Sequence, residues 1–169
     1  AKTARGVVDF GELEQYSLQV LSEKGPQGLL PSPAAISLRE RYEEVLVDEY
    51  QDINAVQEAI LQLVSRQENG RPNLFMVGDV KQSIYRFRLA DPGLFLQKYI
   101  TYPVGRDGRE RRIDLSKNFR SRRGLVRAVN FIFRQLMTPV VGEIDYGAGS
   151  ELVYGADYPP YAGEGLEPD

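Results

Sequence analysis

EVLVDEYQD, residues 44–52, sets a short apolar run, Val45–Val47, directly against two carboxylates, Asp48 and Glu49, with a third acid, Asp52, three residues on. A run of this length does not by itself distinguish strand from helix, but helical patterns on both sides favour a buried parallel strand. The two acids then stand at the strand's carboxyl end, where ligands of parallel α/β sheets sit. An acid pair there suits a hydrated magnesium ion, which takes one or two carboxylates plus phosphate oxygens and water. Asp48 would hold the ion through water and Glu49 would orient and deprotonate an attacking water. The same two acids could also simply open a solvated turn.

The surrounding pattern supports the strand reading. Upstream, Asp9 followed by Glu12 predicts a helix N-cap with a capping box, and Phe10, Leu13, Tyr16, Val20 and Leu21 form one apolar face. Residues 24–33 (KGPQGLLPSP) read as a loop, and Ala34–Tyr42 as a short helix. Downstream, Val56, Ile60, Leu63 and Val64 make a helical stripe that Asn69-Gly70-Arg71-Pro72 breaks. Leu74–Val77 is a second buried strand ending at Gly78-Asp79, and a helix starts after Asp91-Pro92. Ile113–Leu115 is a third strand. Leu125, Val129, Ile132 and Leu136 give the core face of a last helix, and past Pro139 the chain reads as irregular and acidic. Strand, helix, strand, helix predicts an α/β fold with a parallel sheet.

Composition narrows the chemistry. The 169 residues fit one ordinary domain or the joined pieces of two. With no cysteine and no histidine, thiolate and imidazole catalysis, disulfides and zinc sites of the Cys/His type are excluded. No run approaches a membrane span, and no signal-peptide pattern opens the chain, which leads us to expect a cytoplasmic protein. Net charge is −3 but uneven: residues 105–134 hold ten basic and three acidic side chains, residues 135–169 none and seven. A basic block inside an acidic chain suggests a local anion site. An Arg-rich solvated helix face would look the same.

Two further stretches carry chemistry. In GDVKQSIYRFR (78–88), Gln82 follows a strand end, and Tyr85 and Phe87 alternate with Arg86 and Arg88. This reads as a base-stacking platform with phosphate contacts, or equally as one buried face of a strand. In IDLSKNFRSR (113–122), a strand runs through a basic turn into a helix, offering a phosphate site or an ordinary cap by Ser121.

Taken in order, VLVDEYQD, GDVKQSIYRFR and NFRS resemble motifs II, III and IV of the UvrD-like superfamily-one DNA helicases, and Asp9–Leu13 resembles the D-F-x-D-L segment preceding motif II. NLFMVGDVKQSIYRFRLADPGLFLQKY (73–99), with Leu89 where many such helicases have glycine, is similar to the AddA branch, the A subunits of bacterial ATP-dependent helicase–nucleases, as are IDLSKNFRSR and VGEIDY (141–146). The resemblance implies a partial RecA-like P-loop NTPase fold, with residues 1–104 ending a first RecA-like domain, 105–138 starting a second, and 139–169 an irregular acidic tail or truncated connection. It implies ATP and Mg²⁺ as cofactors, with Asp48 and Glu49 at the metal, Glu49 the catalytic base, and Gln82 and Arg120 at the γ-phosphate. Arg120 would act as an arginine finger from the second domain, and Tyr85, Phe87 and Arg88 would contact single-stranded DNA. Gln51 and Asp52 would buttress the loop.

The implied work is unwinding and processing of double-strand DNA ends for recombinational repair. The implied partner is a second, B-type subunit, with exonuclease activity in the whole protein and no membrane. The phosphate-cradling G-x-x-x-x-G-K-[ST] loop is missing from these residues, and an iron–sulfur cluster of the branch's nuclease domain would have no cysteine here. The chain is therefore expected to be a central segment of a longer protein, hydrolysing no ATP alone. A UvrD-like repair helicase without nuclease, or a non-catalytic domain binding nucleic acid or a partner, remain the other readings.

Overall fold

The structure is a computed structural model describing residues 6–66, 71–105, 108–138, 140, 146–147 and 149–159. The chain forms two compact units, residues 1–112 and 113–169; among the described residues the first holds four α-helices and the second one, each with a two-stranded parallel sheet. The class is mixed α/β, as the pattern predicts.

In the first unit, helix α1 (Phe10–Leu21) starts at the expected box: the Asp9 carboxylate accepts the Glu12 N–H at 2.8 Å, and Glu12 accepts the Asp9 N–H at 2.9 Å. Its expected apolar face is not a core face. Leu21 is buried and Leu18 packs behind it, but Phe10 is 88% exposed and Leu13, Tyr16 and Val20 are also exposed. The stretch expected as a loop is instead a hairpin, β1 (Ser22–Gly25) and β2 (Gly28–Pro31), because Pro26-Gln27 closes a two-residue turn. Helix α2 (Pro33–Arg41) follows, with Ser32 as its cap and proline in its first turn.

Strand β3 (Val45–Val47) and strand β4 (Leu74–Met76) pair in parallel, Val45 opposite Leu74 and Val47 opposite Met76. Between them helix α3 (Ala55–Val64) begins at Asn54, whose carboxamide accepts the N–H groups of Val56 and Gln57. Leu63, Val64, Leu21 and Ala35 form the core among α1, α2 and α3, with Ile60 and Leu38 against it. Arg39 donates to the Leu63 and Gln62 carbonyls at the end of α3, and Arg66 donates to Arg39, Tyr42 and Glu43 carbonyls. These guanidinium bonds satisfy helix-end carbonyls and set where β3 begins. The strands are not buried on both faces as expected. Val45, Val47, Leu74 and Met76 are half-buried, whereas Leu46 is 68% exposed and Phe75 55%. Strand periodicity sends alternate side chains to opposite faces, and no described element covers the second one. The Asn69-Gly70 break lies outside the described residues. Helix α4 (Pro92–Thr101) starts at Asp91 with proline in its first turn.

In the second unit, Ile113–Leu115 is not a strand; Ile113 and Leu115 are exposed, and pairing begins later, at β5 (Lys117–Asn118). Helix α5 (Arg123–Leu136) buries a different face from the one expected. Val126 and Asn130 are buried and Phe133 half-buried, while Leu125, Ile132 and Leu136 are exposed. Asn130 is held because it is fully bonded: its amide donates to the Leu152 carbonyl, and its oxygen accepts the Tyr146 hydroxyl and the Leu152 N–H. Residues around 150 are thus built into the unit. Strand β6 (Val153–Tyr154) pairs in parallel with β5, and Glu151 takes a two-pronged bond from Arg134, both contacts at 2.6 Å. Of VGEIDY, only Tyr146 falls among the described residues.

Candidate functional site

The loop after β3 is a tight, over-determined turn. Asp48 Oδ1 accepts the N–H of Glu49 at 2.9 Å, and Glu49 sits in the left-handed region at φ 50°, ψ 41°. For a residue with a Cβ, that conformation costs about 1–2 kcal/mol and persists only where neighbours impose it. Here they do. The Tyr50 N–H donates to the Val77 carbonyl at 2.9 Å, continuing the β3–β4 pairing past the strand ends. Tyr50 is fully buried; its hydroxyl donates to Glu58 and its ring meets Phe95 edge-on at 5.8 Å.

Glu58 in turn is paired with Lys98 at 3.0 Å and accepts from Gln62. Burial pushes its proton affinity up, but the bonds from Tyr50, Gln62 and Lys98 outweigh it and hold the carboxyl below its usual value. Burial, then the Glu58 bond, push the Tyr50 hydroxyl upward. A depressed carboxyl stabilises the fold above its unfolded value and loses that contribution as pH falls through the folded one. Lys98→Met should therefore cost about 2–3 kcal/mol at pH 7, slightly less than typical for breaking a buried pair because Lys98 is partly exposed. The cost should shrink as pH drops below 4.5, Glu58's ordinary value, and falls through the lower folded value at which the paired carboxyl protonates. Urea unfolding at both pH values measures this, and an equal cost at both would show that the ion pair is not the cause.

Gln51 is the centre of the site, at 1% exposure. Its Oε1 accepts the Asp79 N–H at 3.0 Å, and its Nε2 donates to Glu49 Oε2 at 2.8 Å and to Asp52 Oδ2 at 3.4 Å. The carboxamide lies against Gly78, where a Cβ would stand 2.6 Å from Oε1, so a larger residue there would push the carboxamide from its bonds. Asp52 Oδ1 is buried with no partner among the described residues; burial first, and Glu49 second, push that carboxyl's proton affinity up.

Asp79 then organises the next turn. Its carboxylate accepts the Lys81 N–H at 3.1 Å, pairs with the Lys81 ammonium at 2.8 Å and accepts Gln82 Nε2 at 3.1 Å. The structure thus brings Asp48, Glu49 and Gln82 to one end of the β3–β4 pair. Sequence reasoning misses Asp79 and Tyr50 as parts of this site. The Gly-Asp step at a strand end is the visible signal for Asp79; Tyr50 has none, since its partners lie on two later helices.

Residues 85–88 do not form the strand that the alternating pattern allows. Arg86–Arg88 is a turn of 3₁₀ helix, not a strand, and Phe87 is 76% exposed. Tyr85 and Phe87 lie 5.8 Å apart, with the Arg88 guanidinium 5.1 Å from one ring and 5.5 Å from the other. Leu89 takes the left-handed conformation at φ 68°, a region that favours glycine. The platform is tied back to the acid loop by Asp91 N–H to the Ile53 carbonyl at 2.9 Å and Ser83 to the Gln51 carbonyl at 3.4 Å.

Arg120 belongs to the second unit. Ser121 does not cap α5; the cap residue is Arg122, and Asn118 Oδ1 instead accepts the N–H groups of Arg120 and Ser121 at 3.0 and 2.8 Å. The Tyr158 hydroxyl donates to the Arg120 carbonyl at 2.7 Å. The backbone is pinned while the guanidinium end remains on an exposed residue.

The donor set fits magnesium held mainly by phosphate and water: exposed acids at a strand tip, with Asp48 Oδ2 having no partner among the described residues. Among those residues no group of three or more His, Cys, Asp or Glu could form an all-protein cage. No described helix is long and apolar enough to cross a membrane.

An acid pair thus stands at the carboxyl end of a parallel strand, with Glu49 linked through Gln51 to the turn that carries Gln82, beside an exposed aromatic cluster. Residues 1–103 match the UvrD/REP helicase N-terminal domain, and the chain belongs to that family. It is 68% identical over 161 residues to the A subunit of the ATP-dependent helicase/nuclease of Pelotomaculum thermopropionicum, a match that covers 95% of this chain. It is 61% identical over 168 residues to the counterpart of that name from Desulforudis audaxviator and 60% over 161 to that of Moorella thermoacetica, covering 98% and 94% of this chain. The chain spans 12–14% of the length of these relatives.

Proposed function

We propose that this chain is the acid-bearing central segment of the A-type chain of an ATP-dependent DNA helicase–nuclease. Residues 1–104 would end a first RecA-like domain and residue 105 would begin a second. The observation that carries the reading is the bonded link from Glu49 to the Gln82 turn, in a member of this family.

Asp48 would hold a magnesium ion through water and Glu49 would take the proton of the attacking water. The ion held there would supply positive charge against the phosphates of ATP. Gln82 would contact the γ-phosphate and pass its loss to the platform, where Tyr85, Phe87 and Arg88 hold single-stranded DNA. Arg120 would supply positive charge at the transferring phosphoryl group. The whole protein would work beside a second, B-type subunit to unwind and process double-strand DNA ends. ATP turnover that ignores single-stranded DNA in the full-length protein overturns this reading.

The platform has its own test. Base stacking on an aromatic ring is worth about 1–3 kcal/mol, so Phe87→Ala in the full-length protein should weaken single-stranded DNA binding about 5- to 150-fold. Fluorescence anisotropy with an oligothymidylate reads this. Unchanged affinity would leave the exposed ring without a role in DNA binding.

A further inference from the structure

Gln51 does more than fill the loop. Asp79 N–H can only donate, so the carboxamide oxygen must face it and the NH₂ must face Glu49. The side chain's orientation follows from chemistry and is unambiguous. A continuous path then runs from Glu49 Oε2 to Gln51 Nε2 (2.8 Å), from Gln51 Oε1 to Asp79 N (3.0 Å), and from Asp79 Oδ2 to Gln82 Nε2 (3.1 Å). The Gln82 N–H also donates to the Asp79 carbonyl at 2.8 Å, so Asp79 fixes both the backbone and the side chain of that residue. Gln51 is the buried member of this path; Glu49 and Gln82 are both exposed at the ends.

We infer that Gln51 is a positioning residue whose oriented carboxamide holds the Glu49 carboxylate and joins it, through the Asp79 N–H, to the turn that carries Gln82. The inference rests on the ATPase reading for what the link transmits, but not for the link itself. Each end of the amide has a separate task. The donor end restrains an exposed carboxylate that has a flexible side chain and sits on a strained turn. The acceptor end sets the Asp79 turn relative to the β3 tip, and the bare Cα of Gly78 lets it come close enough. Displacing either strand-end loop thus moves the other.

Two variants in the full-length protein separate these tasks. Gln51→Leu removes both bonds; Gln51→Glu, assayed at alkaline pH so that the new carboxyl is ionised, keeps an acceptor for Asp79 and sets a like charge against Glu49 in place of the donor. Hydrogen exchange at the Asp79 amide should accelerate about tenfold or more in Gln51→Leu and stay near wild type in Gln51→Glu. Misplacement of a reacting group by about 1 Å can cost 100-fold, so DNA-stimulated kcat should fall at least tenfold in both, with KM for ATP within about threefold. Combined with Gln82→Ala, Gln51→Leu should lose less than the product of the single losses, because both act on one path.

Unchanged Asp79 exchange in Gln51→Leu, or fully multiplicative losses in the double variant, overturns the inference. If Gln51→Leu does not fold, Gln51→Glu still decides: loss of Asp79 protection there, or retention of full kcat, overturns it. Should Glu49→Gln leave ATP turnover intact, Glu49 is not the group that takes the proton, while the exchange result still decides whether Gln51 makes the link.

Discussion

Glu49→Gln in the full-length protein should lower kcat for ATP hydrolysis about 10²- to 10⁴-fold, the usual worth of a positioned general base. The substitution is nearly isosteric. Gln51 Nε2 bonds Glu49 Oε2, and an amide oxygen at position 49 accepts the same bond. The left-handed turn and its tie from Tyr50 to Val77 involve only backbone. What is lost is the ability to take a proton, so kcat should fall while KM for ATP moves by only a few fold. Steady-state turnover with saturating single-stranded DNA measures it. A loss smaller than tenfold would mean that another group takes the proton.

Arg120→Ala should cost about 10³- to 10⁵-fold in kcat if its guanidinium meets the transferring phosphoryl group as an arginine finger does. The local structure suits that task. Asn118 and Tyr158 hold the Arg120 backbone from two sides, at 3.0 and 2.7 Å, so little side-chain-independent motion remains. Arg120→Lys keeps the charge but loses the planar fork, and should recover only part of the rate. Full recovery by lysine would make Arg120 a point charge; no loss in alanine would remove it from the reaction. In either case Tyr158→Phe offers a check on the pinned backbone that leaves the guanidinium in place.

Much of the site is readable in the sequence because its elements are local. A capping box needs only Asp9 and Glu12; proline at a first helical turn needs only Asp91 and Pro92. An acid pair after Val45–Val47 shows at once where the strand stops. The three motifs in their order lead to the helicase family, and residues 1–103 match it.

Other features are illegible there for equally physical reasons. The stripe Leu125, Val129, Ile132 and Leu136 is a good helical face by spacing, yet α5 buries Val126 and Asn130. A polar residue cannot be assigned to a core until its partners are known, and those of Asn130, Tyr146 and Leu152, come 16 and 22 positions later. The alternation Tyr85-Arg86-Phe87-Arg88 fits a strand as well as a platform. Only the i-to-i+3 closure from Arg88 to Tyr85 and Leu89 to Arg86 decides for a 3₁₀ turn.

The sequence by itself determined the class of the protein, the strand tip that bears Asp48 and Glu49, and the starts of α1 and α4, because each depends on residues within a few positions of one another. The tertiary structure alone decided which faces are buried and how Glu49 connects to Gln82. That connection passes through a buried amide and a backbone N–H that are 28 residues apart. Parallel pairing of β3 with β4 closes that distance, and local pattern carries no record of it.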